Sequence, residues 1–99
     1  MAERKVVVGS RVGLHARPAS LLVSTAAAQP VPVKIAMEGG ARAVDARSIL
    51  SVLTLKAKYG DTVVITADGE GADAALDAVA VVIATDHDEP AENAETAAG

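Results

Sequence analysis

The chain has no cysteine, no phenylalanine and no tryptophan. Without cysteine there are no disulfides, no thiolate nucleophile and no cysteine-based zinc site. Without large aromatics the core must be aliphatic, filled by alanine and valine, with Tyr59 the lone aromatic. Such a core buries less area per residue, so modest stability is expected. Base-stacking residues are nearly absent and the net charge is −4, which argues against a nucleic-acid binder. No apolar run approaches the ~20 residues of a membrane-spanning helix; the longest covers residues 78–84. The opening apolar run, residues 6–8, is too short for a signal peptide, so the cytoplasm is the expected location. Only two histidines occur, one of them (His87) near the C-terminus, and no carboxylates cluster around His15. Neither a metal nor a cofactor is expected.

What is present is half hydrophobic (51%) in 99 residues, enough for one domain. The charge is unevenly spread. Residues 86–99 carry five acidic groups and no Lys or Arg, whereas residues 1–59 hold all nine basic groups and three acidic ones. A basic front half suits an acidic partner or an anionic ligand, although short segments also scatter charge by chance. The division expected is a domain over residues 1–85 and a disordered acidic tail over 86–99.

Residues 5–8 form a β-branched run ended by Gly9, a first strand. Residues 16–28 are mostly helix formers, with Leu22, Val23 and Ala26 at helical spacing. Pro18 is tolerated in a first helical turn, which puts the helix start at or just after His15. Residues 31–37 alternate as a half-buried strand, Gly39-Gly40 signals a hairpin, and residues 41–45 follow as a short strand. Ser48 is placed to cap a short helix through Leu55. Residues 62–67 are a fourth strand, and residues 72–85 a helix with Ala72, Leu76, Val79 and Ile83 on one stripe. The order βαββαβα predicts an α+β domain, with helices on one face of a small four-stranded antiparallel sheet.

Gly13-Leu14-His15-Ala16-Arg17-Pro18-Ala19 carries the chemistry. A helix start presents unpaired amides and the positive end of the macrodipole. A phosphoryl group on His15 would lie over that anion site. Arg17 adds planar donors suited to phosphate oxygens. On residue type alone, His15 reads as a surface or capping group, Arg17 as a solvated cation and Ser48 as an N-cap. Ile49, Leu50 and Leu53 divide between core and an exposed patch.

This seven-residue stretch resembles the active-site signature of the HPr family, the histidine-containing phosphocarriers of the bacterial phosphoenolpyruvate-dependent sugar phosphotransferase system. Residues 44–53 (Val-Asp-Ala-Arg-Ser-Ile-Leu-Ser-Val-Leu) resemble its serine-containing segment. The resemblance covers roughly residues 3–85. It implies an open-faced β-sandwich with four antiparallel strands and three helices. It implies that His15 is phosphorylated on Nδ1, steadied by Arg17 and by the backbone of Ala16 and Arg17. It implies that Leu14, Ser20, Leu21, Arg47, Ile49, Leu50 and Leu53 form the surface docking enzyme I and the sugar-specific EIIA proteins. Ser48 matches a serine that a dedicated kinase phosphorylates in some lineages. The implied protein is a monomeric carrier, not an enzyme. Three features depart from the pattern: Val12 where a small polar residue is frequent, Lys56 where glycine is frequent, and a longer acidic tail. Two alternatives stay open, a ligand-binding module in which His15 is dispensable and a carrier in a nitrogen-related or regulatory branch of the relay.

Overall fold

The structure, a computed structural model, describes residues 2–40 and 42–85; the acidic tail expected to be disordered lies outside them. The elements are β1 (Ala2–Val7), α1 (Ala16–Ala27), β2 (Val33–Met37), β3 (Val44–Asp45), α2 (Ile49–Thr54), β4 (Thr62–Ala67) and α3 (Ala72–Ala84). This is the predicted order. The strands form one antiparallel sheet in the order β1-β4-β2-β3.

Alternation decides which face of each strand is buried. In β4, Val63, Ile65 and Ala67 point inward while Thr62, Val64 and Thr66 stay half-exposed. Opposite them stand Val6 of β1 and Val33 and Ile35 of β2, with Val6 paired to Val63 and Ile35 to Ile65. Two long helices cover that face. From α1 come Ala19, Leu22 and Ala26; from α3 come Ala72, Ala75, Leu76, Val79 and Ile83. The predicted α3 stripe is buried in full. Alanines at these helical positions let α1 and α3 pack on each other and on the sheet without any aromatic filler.

Three boundaries move by two or more residues from their predicted places, each for a physical reason. β1 begins at Ala2 rather than Lys5, because β4 supplies partners down to Ala2 opposite Ala67. The guanidinium of Arg4 then meets Asp77 and Asp73 of α3. β2 begins at Val33 rather than Val31, since Pro32 has no N–H to give a ladder. β3 shrinks to Val44–Asp45; only Asp45 and Val44 find β2 partners, Lys34 and Ile35.

The short helix α2 has the predicted cap. The Ser48 hydroxyl accepts from the Ser51 amide at 3.3 Å. Val52 is its buried anchor. Leu55 ends the helix, and the next residue, Lys56, adopts φ +55. Its amide donates to the Leu53 carbonyl at 3.2 Å, closing the last turn. A residue with a Cβ holds this left-handed conformation at a cost of about 1–2 kcal/mol.

Candidate functional site

The loop before α1 is fixed by backbone bonds at both ends. Val8 donates to Asp61 (2.8 Å) and accepts from Gly60 (3.0 Å), and Gly9 donates to Ile83 (3.0 Å). Farther along, Leu14 donates to the Ala57 carbonyl at 2.9 Å. Gly13 makes that approach possible. Its φ is +76, and a Cβ there would sit 2.5 Å from the Ala57 oxygen and 3.0 Å from Lys58 Cα. Leu14 is consequently driven inward and is only 5% exposed.

The next residue turns outward. His15 is exposed, with extended backbone (φ −90, ψ −168), and is the N-cap of α1. Its carbonyl accepts the first helical bond, from Ala19, at 2.8 Å. The imidazole makes no capping bond to its own helix. Of the three residues before Ala19, Pro18 has no N–H, so the amides of Ala16 and Arg17 are the donors this helix end offers. No acidic residue occupies the first turn; exposed Arg17 stands there instead. Basic charge at a helix N-terminus is unfavourable against the dipole unless an anion joins it. The arrangement is therefore an exposed imidazole at a helix start whose first turn offers two amides and an exposed arginine, groups complementary to an anion.

Beside His15 and Ala16 lies an open depression of about 450 Å³, also lined by Leu14, Leu53, Lys56 and Lys58. A second, of about 580 Å³, lies along α2 and is lined by Leu50, Thr54, Leu55 and Arg42, among others. On α2, Leu50 is 74% exposed and Ile49 38% exposed. Leu21 and Ser20 are exposed on α1, and Leu53 is half-buried. The predicted docking residues thus lie on α1 and α2, except Arg47, just before the α2 cap, and Leu14. Its side chain belongs to the core and reaches the surface only as part of the first depression.

Arg47 is exposed and held by Asp45. Its Nε and Nη2 each donate to an Asp45 carboxylate oxygen at 3.1 Å, and its amide donates to Asp45 at 2.9 Å. These bonds, those of the guanidinium foremost, hold the Asp45 carboxyl below the usual carboxylate range. Sequence reasoning missed Asp45; its one signal is the Asp-x-Arg spacing just before a helix cap. It also missed Lys58 and treated Lys56 only as a departure. Among the described residues, no group of His, Asp or Glu is placed to hold a metal ion, and no helix is long and apolar enough to cross a membrane.

Residues 2–85 match the family model described as the PTS HPr component phosphorylation site. The chain belongs to the HPr family. It is 51% identical over 84 residues to the phosphocarrier protein HPr of Streptomyces coelicolor, covering 85% of this chain and 89% of that one. It is 34% identical to the phosphocarrier protein NPr of Shewanella violacea, covering 88% and 93%. The crystal structure of an HPr from Bacillus anthracis superposes with a TM-score of 0.76 at 33% identity, covering 83% of this chain and 95% of that one. As an HPr-family member the protein is a phosphocarrier of the phosphotransferase system rather than an enzyme. The open antiparallel sheet and three helices are the architecture of the HPr structures it resembles.

Proposed function

We propose that His15 accepts a phosphoryl group from phosphorylated enzyme I and passes it to the sugar-specific EIIA proteins. The observation that carries the reading is exposed His15 as the N-cap of α1, with the Ala16 and Arg17 amides and the exposed Arg17 in the first turn that follows. The lone pair of neutral Nδ1 attacks phosphorus in line. An N–P bond forms as the donor's bond to phosphorus breaks, and the donor keeps that electron pair. Reversal against an acceptor histidine empties the site. Arg17 and the two amides offset the charge of the phosphoryl oxygens throughout, and exposure leaves both faces of the exchange open to partners.

The surface formed by Ser20, Leu21, Arg47, Ile49, Leu50 and Leu53, with Leu14 beneath, is proposed to dock both partners. An apolar patch with Arg17 and Arg47 on the segments that carry it suits brief, acid-fringed encounters near the lower end of interface sizes. Residues 1–85 act as the carrier domain, monomeric and cytoplasmic. Ser48 is proposed as a regulatory phosphorylation site for a serine kinase. A phosphoryl group there would replace a neutral cap by a dianion on the docking face, and repel an acidic partner. The sugar branch is preferred over a nitrogen-related one, because identity to the HPr relative exceeds that to the NPr relative by half.

The test is incubation with phosphoenolpyruvate and enzyme I. One acid-labile, alkali-stable phosphoryl group is expected on the wild type and none on His15→Ala. Labelling of His15→Ala would refute the assignment. For Ser48, ATP and host lysate should yield an acid-stable phosphoserine that Ser48→Ala lacks; its absence from the wild type removes the regulatory role.

A further inference from the structure

Lys56 is the only non-glycine residue with positive φ among the described residues. Glycine adopts that conformation freely, so a lysine there is strained for no benefit to the fold. Its position relative to the site is nevertheless fixed. Residue 57 supplies the carbonyl to which Leu14 donates, so Lys56 and Lys58 flank the point where the His15 loop is tied down. Both lysines and His15 line the same depression, whose other residues are apolar. No acidic residue lines it, and neither lysine side chain has an ion-pair partner among the described residues. The two cations therefore border an apolar hollow beside the reacting ring; the Asp61 carboxylate accepts from the Lys58 backbone amide at 2.9 Å and from neither ammonium.

We propose that Lys56 is a specificity-determining residue that receives an aspartate or glutamate side chain of the docking partner in the depression beside His15. This rests on the carrier reading above and deepens it. The strain at residue 56 is retained because it carries an ammonium group to the rim, where glycine would leave Lys58 alone. A carboxylate entering there exchanges its hydration for a cation at an apolar edge, a contact that favours acidic partners and excludes basic ones. The contact belongs to the partner and not to the phosphoryl group, which Arg17 and the helix amides already serve.

The experiment is calorimetric titration of the full chain with enzyme I at low and high salt, beside the phosphohistidine lifetime of each variant. Lys56→Gly and Lys56→Gln should each raise Kd about three- to tenfold at low salt. The difference should vanish at high salt. Lys56→Arg should keep wild-type affinity. Lys56→Gly alone should also melt a few degrees higher, since it removes the strain as well as the charge. Wild-type affinity in both Lys56→Gly and Lys56→Gln would overturn the proposal. So would a shortened phosphohistidine lifetime with Kd unchanged, since the cation would then serve the phosphoryl group. A wild-type chain that binds enzyme I yet gains no phosphoryl group on His15 sinks the carrier reading, and the affinity comparison still stands or falls by itself.

Discussion

Replacing Gly13 by alanine tests whether the His15 loop is held as described. Two costs follow from the geometry. The new Cβ must live at φ +76, which for an L residue is about 1–2 kcal/mol. It must also escape the Ala57 oxygen, 2.5 Å away, and the backbone of Lys58. Escape stretches the Leu14–Ala57 bond, 2.9 Å in the native chain, and forfeits about 1 kcal/mol. Against these stands a gain of about 0.4–1 kcal/mol from a stiffer unfolded chain. Gly60→Ala is the matched control. Gly60 has φ +87, yet nothing lies within 4 Å of its Cβ direction. The control bears the conformational cost and the same unfolded-state gain, so subtraction leaves the Ala57 contact. Gly13→Ala should therefore be less stable than Gly60→Ala by about 1 kcal/mol or more. For a domain of this size that separates the melting points by about 4–8 °C. Urea unfolding followed by far-UV circular dichroism reads it, since the chain has no tryptophan to report by fluorescence. Equal midpoints at equal slope would refute the clamp. Phosphoryl transfer to His15 should also slow in Gly13→Ala and not in Gly60→Ala.

Ser48→Ala removes the cap of α2 and should lower stability by about 1 kcal/mol, measured as a shift in urea midpoint. Leu22→Ala empties a fully buried aliphatic position and should cost about 2–5 kcal/mol by the same measurement. Asp45 predicts a pH dependence. Its carboxyl is held below the ordinary value in the folded chain, so the unfolded chain takes up its proton first as pH falls. The pair's contribution is complete above the ordinary carboxylate pKa of about 3.9 and is lost as pH drops through the lower folded value. Wild type should thus lose stability more steeply than Asp45→Asn below about pH 4, by well under 1 kcal/mol because the pair is half-exposed. Parallel curves would show that the pair adds nothing.

Where pattern and tertiary structure agree, the sequence is read easily. The strand 62–67 is found with its exact ends because turn residues bound a largely β-branched run on both sides. The α3 stripe is equally plain, as is the helix start at His15, since Pro18 fits only the first turn. What fails is whatever a distant partner decides. Ala2, Glu3 and Arg4 carry no strand signal of their own and become strand through Ala67, Thr66 and Ile65. Leu14 reads as a docking residue from its motif, and the packing of Gly13 on residue 57 turns it inward. The left-handed turn at Lys56 has no signal in lysine itself; its one hint is the glycine frequent at that place in the resembled pattern. His15, Arg17 and Ser48 were legible because each depends on the local end of one helix; the cationic rim at Lys56 and Lys58 comes from another element brought alongside.

The strand order carries a consequence for biosynthesis. β1 lies against β4, and their paired residues are far apart along the chain, as Val7 and Thr62 or Ala2 and Ala67 are. β1 has no neighbour in the sheet until β4, the last of the described strands, is made. Such long-range pairing slows folding, because a large loop must close before any contact rewards it. The loop bearing His15 is tied to residues 57, 60, 61 and 83. Its frame therefore closes only after nearly the whole domain has emerged. A chain that stops short of residue 83 carries the histidine without the frame that presents it.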